Sequence, residues 1–354
     1  MLNSNTGRSS FIWALVGGAS LVILVLGMRA TASILSPLLL AVVLAISISP
    51  LQKWLTRKGL PYGLSMLITL LVLILTIVGL ILLMGVSISD LVATLPQYAD
   101  NMQGNTDALQ SFLANRGIDV SNILSNDTFN PTKILGALEG MLSGIVSALS
   151  GVVIMLLILI FMLLDAAGFT SRLHKGFSSD DPILARLDTF ARDIRQYVSI
   201  TTRINILVGV VDTIFLLILG VDFAVLWGIL SFLLGYIPSI GFWLALIPPA
   251  ILAFAEFGVS RALIVLIGYV LINGSVQNFL QPKLMGSGLN LSPLVVVFSL
   301  IFWGWVLGPI GALLAIPLTM MVMKVLLESF DETKPLVILM QSSPTEEEGS
   351  SDAA

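Results

Sequence analysis

Gly235-Tyr-Ile-Pro238-Ser-Ile-Gly241, Ile247-Pro248-Pro249, Asn278-Phe-Leu-Gln281-Pro282-Lys-Leu-Met-Gly286 and Gly308-Pro309-Ile-Gly311 with Ile316-Pro317 all fall between Gly228 and Leu327. The sequence around them is apolar enough to sit in lipid. In hydrocarbon an unpaired backbone N–H or C=O costs several kcal/mol, so a break at membrane depth persists only where protein or a water-filled cavity satisfies the freed groups. Interruptions this dense predict a passage or a site rather than a plain anchor. Pro238, Gly241, Pro248, Pro249, Pro282, Gly286, Gly308, Pro309, Gly311 and Pro317 are the expected shapers of that backbone.

Composition agrees with a bilayer as the solvent. The 354 residues are 56 % hydrophobic and only 11 % charged, against about 25 % charged in soluble domains. Mean hydropathy is +1.01. Apolar runs of 18 or more residues recur, and about 20 helical residues cross a hydrocarbon core. These features exclude a soluble protein and predict an all-α polytopic membrane protein with about 7–8 transmembrane helices, broken or re-entrant in the C-terminal half. Cysteine is absent, which excludes a disulfide framework, a thiol nucleophile and a thiolate metal site. The single histidine, His174, sits in a polar stretch and reads as a surface side chain. There is no P-loop sequence, and one histidine cannot serve a hydrolytic triad. No enzyme activity, metal, cofactor or nucleic-acid partner is expected; the lipid bilayer is.

Along the chain, 1–88 holds three spans, at about 11–27, 31–50 and 62–88. The first lacks a following small-residue cleavage site and reads as a retained helix. Residues 89–142 are polar, with Pro96, Pro131 and several Asn and Asp, and read as a helical extracytoplasmic subdomain. A fourth span covers 143–164. In 165–203, Ser179-Asp180-Asp181-Pro182 is a helix start. Ile183, Leu184, Leu187, Phe190, Ala191, Ile194, Tyr197 and Val198 then form one apolar face, opposite Arg186, Asp188, Arg192, Asp193 and Arg195. That is a cytoplasmic amphipathic helix, lying on the membrane surface or packed against neighbouring helix ends. Residues 204–327 form the expected transport core: helix five at 204–220, a full span at 262–280, and the interrupted segments. Residues 328–354 read as a disordered tail.

The loops 51–61 and 165–203 carry nine basic residues, whereas 28–30 and 89–142 carry three. The positive-inside rule therefore puts the N-terminus in the cytoplasm and 89–142 outside. Residues 223–256 would be about 50 Å of continuous helix, too long for one span. They and 291–323 are either both broken crossings or both re-entrant hairpins, and each choice leaves the C-terminus inside. Trp227-Gly228 before Pro238 and Trp303-Gly304 before Pro309 form a faint internal echo, and paired interrupted helices mark transporter sites.

Asp212, in Val208-Gly-Val-Val-Asp-Thr, lies deep inside helix five. An intramembrane carboxylate reads as functional by default. It is a candidate binder of a proton or cation, against the alternative of a hydrogen-bonded helix contact. Asn273, Gln277 and Gln281 are spaced by four on one helical face, and Asn278 adjoins them. Such amides either line a pathway or join helices.

Gly235-Tyr-Ile-Pro-Ser-Ile-Gly241, Ala245-Leu-Ile-Pro-Pro249, Pro282-Lys-Leu-Met-Gly286, Leu291-Ser-Pro293 and Phe302-Trp-Gly-Trp-Val-Leu-Gly-Pro-Ile-Gly311 with Ile316-Pro-Leu318 resemble the autoinducer-2 exporter family of bacterial membrane proteins. Leu95-Pro-Gln-Tyr98 and Gly117-Ile-Asp-Val-Ser121 extend the resemblance to the N-terminal half. It implies a multi-pass transporter of the bacterial inner membrane, a homo-oligomer, exporting a small polar metabolite such as autoinducer-2; other members are linked to sodium or proton exchange. Many members carry Glu before the proline where this chain has Gln281, which leaves Asp212 as the acid available for coupling. A cation/proton antiporter and a non-transporting membrane scaffold are the alternatives. Broken helices favour transport over a scaffold, and the scarcity of buried acids favours metabolite export over antiport.

Overall fold

The computed structural model describes residues 5–116, 131–176, 181–285 and 291–341. Gly286 falls outside them, and so do the side chains of Pro282 and His174. The described residues are helical but for turns and one isolated bridge, Leu291 with Gln341. The chain is an all-α polytopic membrane protein. Five helices, within Ala32–Arg57, Tyr62–Ser111, Pro131–Asp165, Pro182–Leu219 and Val259–Leu280, are long and apolar enough to cross a bilayer. Shorter apolar helices accompany them.

Helices α1 (Asn5–Ala30), α2 (Ala32–Arg57) and α3 (Tyr62–Ala114) follow with tight links. Helix α3 runs for 53 residues, about 80 Å, through the expected limit of the third span at residue 88 and past Pro96 without ending. Its apolar period continues, because Met84, Ile88, Leu91, Leu95, Tyr98 and Met102 form one buried stripe. Burial of that stripe keeps the polar stretch helical, as far as Ala114. Helices α4 (Pro131–Ser150) and α5 (Val152–Gly176) meet at Gly151, and the expected fourth span, 143–164, falls across that junction.

The amphipathic helix and helix five are one element. Helix α6 (Pro182–Leu219) has 38 residues. It is capped by the Asp181 carboxylate, which accepts from Ile183 N–H at 3.0 Å, with Pro182 in the first turn. It ends at Gly220 in the left-handed conformation, φ 70°. No breaker lies between. Phe190, Ile194, Tyr197, Thr201, Asn205, Val208, Gly209 and Asp212 keep one buried face throughout.

Helix α7 (Ala224–Leu234) and helix α8 (Gly241–Phe257) form a hairpin. It starts where Tyr98 of α3 donates to Asp222 Oδ2 at 2.6 Å. It finishes where Asn105 of α3 donates to the carbonyls of Phe254 and Ala255, at 3.0 and 2.9 Å. Both ends thus lie within about two turns of one another on α3, which a single crossing forbids. Gly258, φ 78°, then turns the chain into α9 (Val259–Ser275). A π-helical turn, Val276–Leu280, leads to α10 (Gln281–Met285).

A second hairpin follows: α11 (Pro293–Leu307), α12 (Pro309–Leu313) and α13 (Ala315–Met321), with α14 (Lys334–Met340) beyond. Trp303 Nε1 donates to Thr319 Oγ1 at 3.0 Å, and Thr319 donates to Ser299 Oγ at 2.7 Å, so its arms are antiparallel. Ser292 N–H donates to Met340 O at 2.9 Å. Lys324 pairs with Asp193, and Arg186 donates to Ser329 Oγ at 2.6 Å. The second hairpin is therefore anchored at the N-terminal half of α6, the first at the C-terminal end. Ile237, at the tip of the first hairpin, packs against the buried apolar cluster that includes Tyr197 of α6 and Trp303 and Leu307 of the second hairpin.

Pro248 and Pro249 break nothing. Both are buried within a continuous α8. Pro317 stands in the first turn of α13 and Pro309 opens α12, positions where a missing N–H is tolerated. The real turns are Gly235–Ile240, containing Pro238, and Gly308, φ 72°.

Candidate functional site: a buried polar seam

Helices α6 and α7 approach unusually closely. A methyl group on Gly228 would lie 1.8 Å from Thr213 Oγ1 and 2.5 Å from Gly209 O; one on Gly235 would lie 2.6 Å from Asn205 Oδ1. Helix α9 closes the third side, its Gly268 directly under the Phe215 ring. Phe215 stacks edge-on against Tyr269, with ring centroids 6.4 Å apart.

Asp212 stands where these three helices meet, with 0 % exposure. Ser231 of α7 and Asn273 of α9 face it, and Tyr269 is beside it. None makes a well-formed hydrogen bond to either carboxylate oxygen. Asn273 instead donates to Tyr269 O at 3.1 Å. Asn205 and Thr201 continue the buried polar face of α6 toward the hairpin tip, where Thr202 and Tyr236 share a hydrogen bond of 2.7 Å. Among the described residues, eight buried side-chain nitrogen or oxygen atoms have no hydrogen-bond partner. Six belong to this seam: Thr201 Oγ1, Asn205 Nδ2, both Asp212 oxygens, Ser231 Oγ and Tyr269 OH. Buried polar atoms in folded proteins are normally paired, so such a concentration sets the seam apart from the rest of the described residues. One carboxylate among neutral donors and acceptors suits a proton, a small cation or a solute hydroxyl.

The amide stripe does not survive intact. Asn273 is buried beside Asp212, whereas Gln277 and Asn278 are exposed and Gln281 is half-buried. The π turn is the reason, since its wider i→i+5 pitch shifts the register of every residue after Ser275. Sequence reasoning missed Thr201, Asn205, Ser231 and Tyr269. The signal for the first two was present: positions 201, 205 and 212 are polar on the otherwise apolar face of α6. Ser231 and Tyr269 looked like ordinary residues of apolar runs. Of the backbone shapers, Pro238 and Gly241 form the first tip and Gly308, Pro309 and Gly311 the second. A methyl on Gly241 would lie 1.8 Å from Leu234 O, and one on Gly311 2.1 Å from Trp303 O, so both tips depend on glycine for close backbone approach.

Two cavities lie apart from the seam. One of 330 Å³ is lined only by apolar side chains, including Trp243, Leu266 and Val270. One of 150 Å³ lies among Arg186, Thr189, Lys324 and Glu328. Among the described residues no group of three or more His, Cys, Asp or Glu is placed to hold a metal.

Comparison with known proteins fits this architecture. The chain is 36 % identical over 320 residues to the AI-2 transport protein TqsA of Escherichia coli, covering 90 % of this chain and 93 % of that protein. A Haemophilus influenzae protein assigned to transport in its name alone is 33 % identical over 334 residues, covering 92 % and 95 %. YhhT of Escherichia coli, likewise assigned to transport by name, is 28 % identical over 322 residues, covering 91 % and 92 %. The profile of the AI-2E family transporters matches residues 19–331, and the chain belongs to that family: it is a multi-pass membrane transporter.

Proposed function

We propose that this transporter exports a small polar metabolite such as autoinducer-2, and that the seam between α6, α7 and α9 is where solute or coupling ion is held. The observation that carries the proposal is the fully buried Asp212, flanked by Ser231, Tyr269 and Asn273 and unpaired by any of them. An isolated carboxylate in an apolar setting is costly unless a proton or cation neutralises it, and such a group is suited to coupling. The name of the Escherichia coli relative supports autoinducer-2 as the first solute to try. Purified protein in proteoliposomes, offered autoinducer-2, a panel of other polar metabolites and sodium with a pH dye inside, tests it. Saturable movement of autoinducer-2 supports the reading; movement of cations alone replaces it with antiport.

The same proposal places both termini in the cytoplasm, the extension of α3 outside, and the protein in the bacterial inner membrane as a homo-oligomer. The basic residues around 51–61 and 165–203 support the orientation. In this cysteine-free chain, Asp107→Cys is expected to react with an impermeant thiol reagent on intact cells and Asp188→Cys is not; the reverse pattern inverts the topology. Native mass in mild detergent reads the oligomer.

A further inference from the structure

The first hairpin is held at both ends by one stretch of α3, and two acids lie where it is attached. Tyr98 OH donates to Asp222 Oδ2. Trp227 Nε1 donates to Asp222 O at 3.0 Å. Asn105 binds the last carbonyls of α8. Glu256, one residue beyond them, lies close to Asp222, and its Oε2 is buried with no hydrogen-bond partner. Arg261 is the cation near this pair, and its guanidinium lies 3.9 Å over the Phe257 ring. Two carboxyl groups are thus gathered at the point where the hairpin is tied down, with one arginine nearby.

We propose that Tyr98, Asn105, Asp222 and Glu256 form an acid-sensitive clamp by which the extension of α3 positions the first hairpin, so that proton concentration on that face sets how freely the hairpin moves. The hairpin carries Ser231 into the Asp212 seam, so loosening the clamp disturbs the site. The charged and titratable groups facing Glu256 are Asp222 from the α6–α7 link, Arg261 from α9 and Tyr98 from α3. Burial, then Asp222, raise the Glu256 carboxyl above the usual glutamate range, and Arg261 only partly opposes them. An acid raised in the closed clamp binds its proton more tightly there than in the open one. The clamp is therefore firmest when Glu256 is protonated and weakens as pH rises through its titration. Tyr98 stays a donor throughout, because burial and the bond to Asp222 push its phenol up.

Hydrogen exchange on the full chain in nanodiscs, corrected for the intrinsic pH effect, reads this without transport, so its failure is separable from failure of the proposed function. Between about pH 5 and about pH 8, Ala224–Leu234 is expected to lose protection by about tenfold for each unit by which the carboxyl is raised, while α2 is unchanged. Glu256→Gln and Asp222→Asn each flatten that response. Tyr98→Phe lowers protection at both pH values. A hairpin equally protected at both pH values, or a Glu256→Gln variant with the full wild-type response, overturns the proposal.

Discussion

The two re-entrant hairpins have the same outline and opposite internal chemistry. In the second, every step of the polar chain is made: Trp303 to Thr319, Thr319 to Ser299, Ser299 to Val295 O, and Ser36 of α2 to Leu307 O. Its return arm is tied to α6 by the Lys324–Asp193 ion pair, largely shielded from solvent. In the first, Ser231 and its neighbours Asp212 and Tyr269 are buried with atoms unpaired. The backbones differ too. The first hairpin starts with Phe223 at φ 58° and turns at Ser239, φ 61°, the two non-glycine residues with positive φ among those described. The second turns at Gly308. One hairpin is built to stay; the other carries strain and unmet polar groups, as elements that move or bind commonly do.

The largest expected difference comes from the stems. Gly228 packs against backbone and Thr213 at distances no Cβ can occupy, whereas a methyl on Gly304 would meet only Ala312 Cβ, at 3.7 Å. Gly228→Ala is expected to separate α7 from α6 and cost more than the roughly 1–3 kcal/mol typical of overpacking, leaving little folded protein. Gly304→Ala is expected to be neutral or to stabilise by up to about 1 kcal/mol through helix propensity. Thermal unfolding in detergent compares them. A stably folded Gly228→Ala variant would break the contrast.

Next come the polar groups. If export is driven by a proton or cation, a single charge crossing about 100 mV supplies about 2.3 kcal/mol, equivalent to roughly fiftyfold accumulation. Asp212→Asn is expected to abolish that accumulation in proteoliposomes while leaving folding and downhill solute movement. Thr319→Val in the second hairpin is the matched control. It strands the Trp303 N–H in a buried site, at a cost of about 1–3 kcal/mol, yet should leave the gradient dependence untouched. Unchanged accumulation by Asp212→Asn makes the seam a structural contact and the protein a facilitator.

This contrast was only half legible in the sequence. Asp212 stood out because an acid in an apolar run is conspicuous whatever surrounds it. Its partners did not, since Ser231 and Tyr269 acquire meaning only when α7 and α9 are folded against α6. Prolines misled in a specific way: Pro248 and Pro249 sit inside a continuous helix, and the turn that matters needed Ser239 in a left-handed conformation no rule would assign it. The choice between crossing and hairpin was beyond charge counting, because it rests on Tyr98 and Asn105 reaching residues more than a hundred positions away. That α3 and α6 each run on as a single helix was not read from the sequence, for one reason. The apolar stripes of α3 and α6 continue into polar sequence, and composition windows lose the stripe where periodicity keeps it.

The smallest expected effects test the strain itself. Gly308 has open space around it, but its φ of 72° with ψ of −156° lies in a region essentially reserved for glycine. Gly308→Ala is therefore expected to destabilise by about 1–3 kcal/mol with no steric clash at all. Ser239 presents the reverse case. A left-handed serine costs about 1–2 kcal/mol, and glycine removes that cost while giving back about 0.4–1 kcal/mol in unfolded-chain entropy. Ser239→Gly is expected to stabilise by roughly 0.5 kcal/mol. Opposite signs at the two tips, read as opposite shifts in thermal unfolding, support strain stored in the first hairpin only. If Ser239→Gly also slows transport, the strain serves the working hairpin; if both substitutions destabilise, the tip of the first hairpin is held by packing and its unusual backbone is incidental.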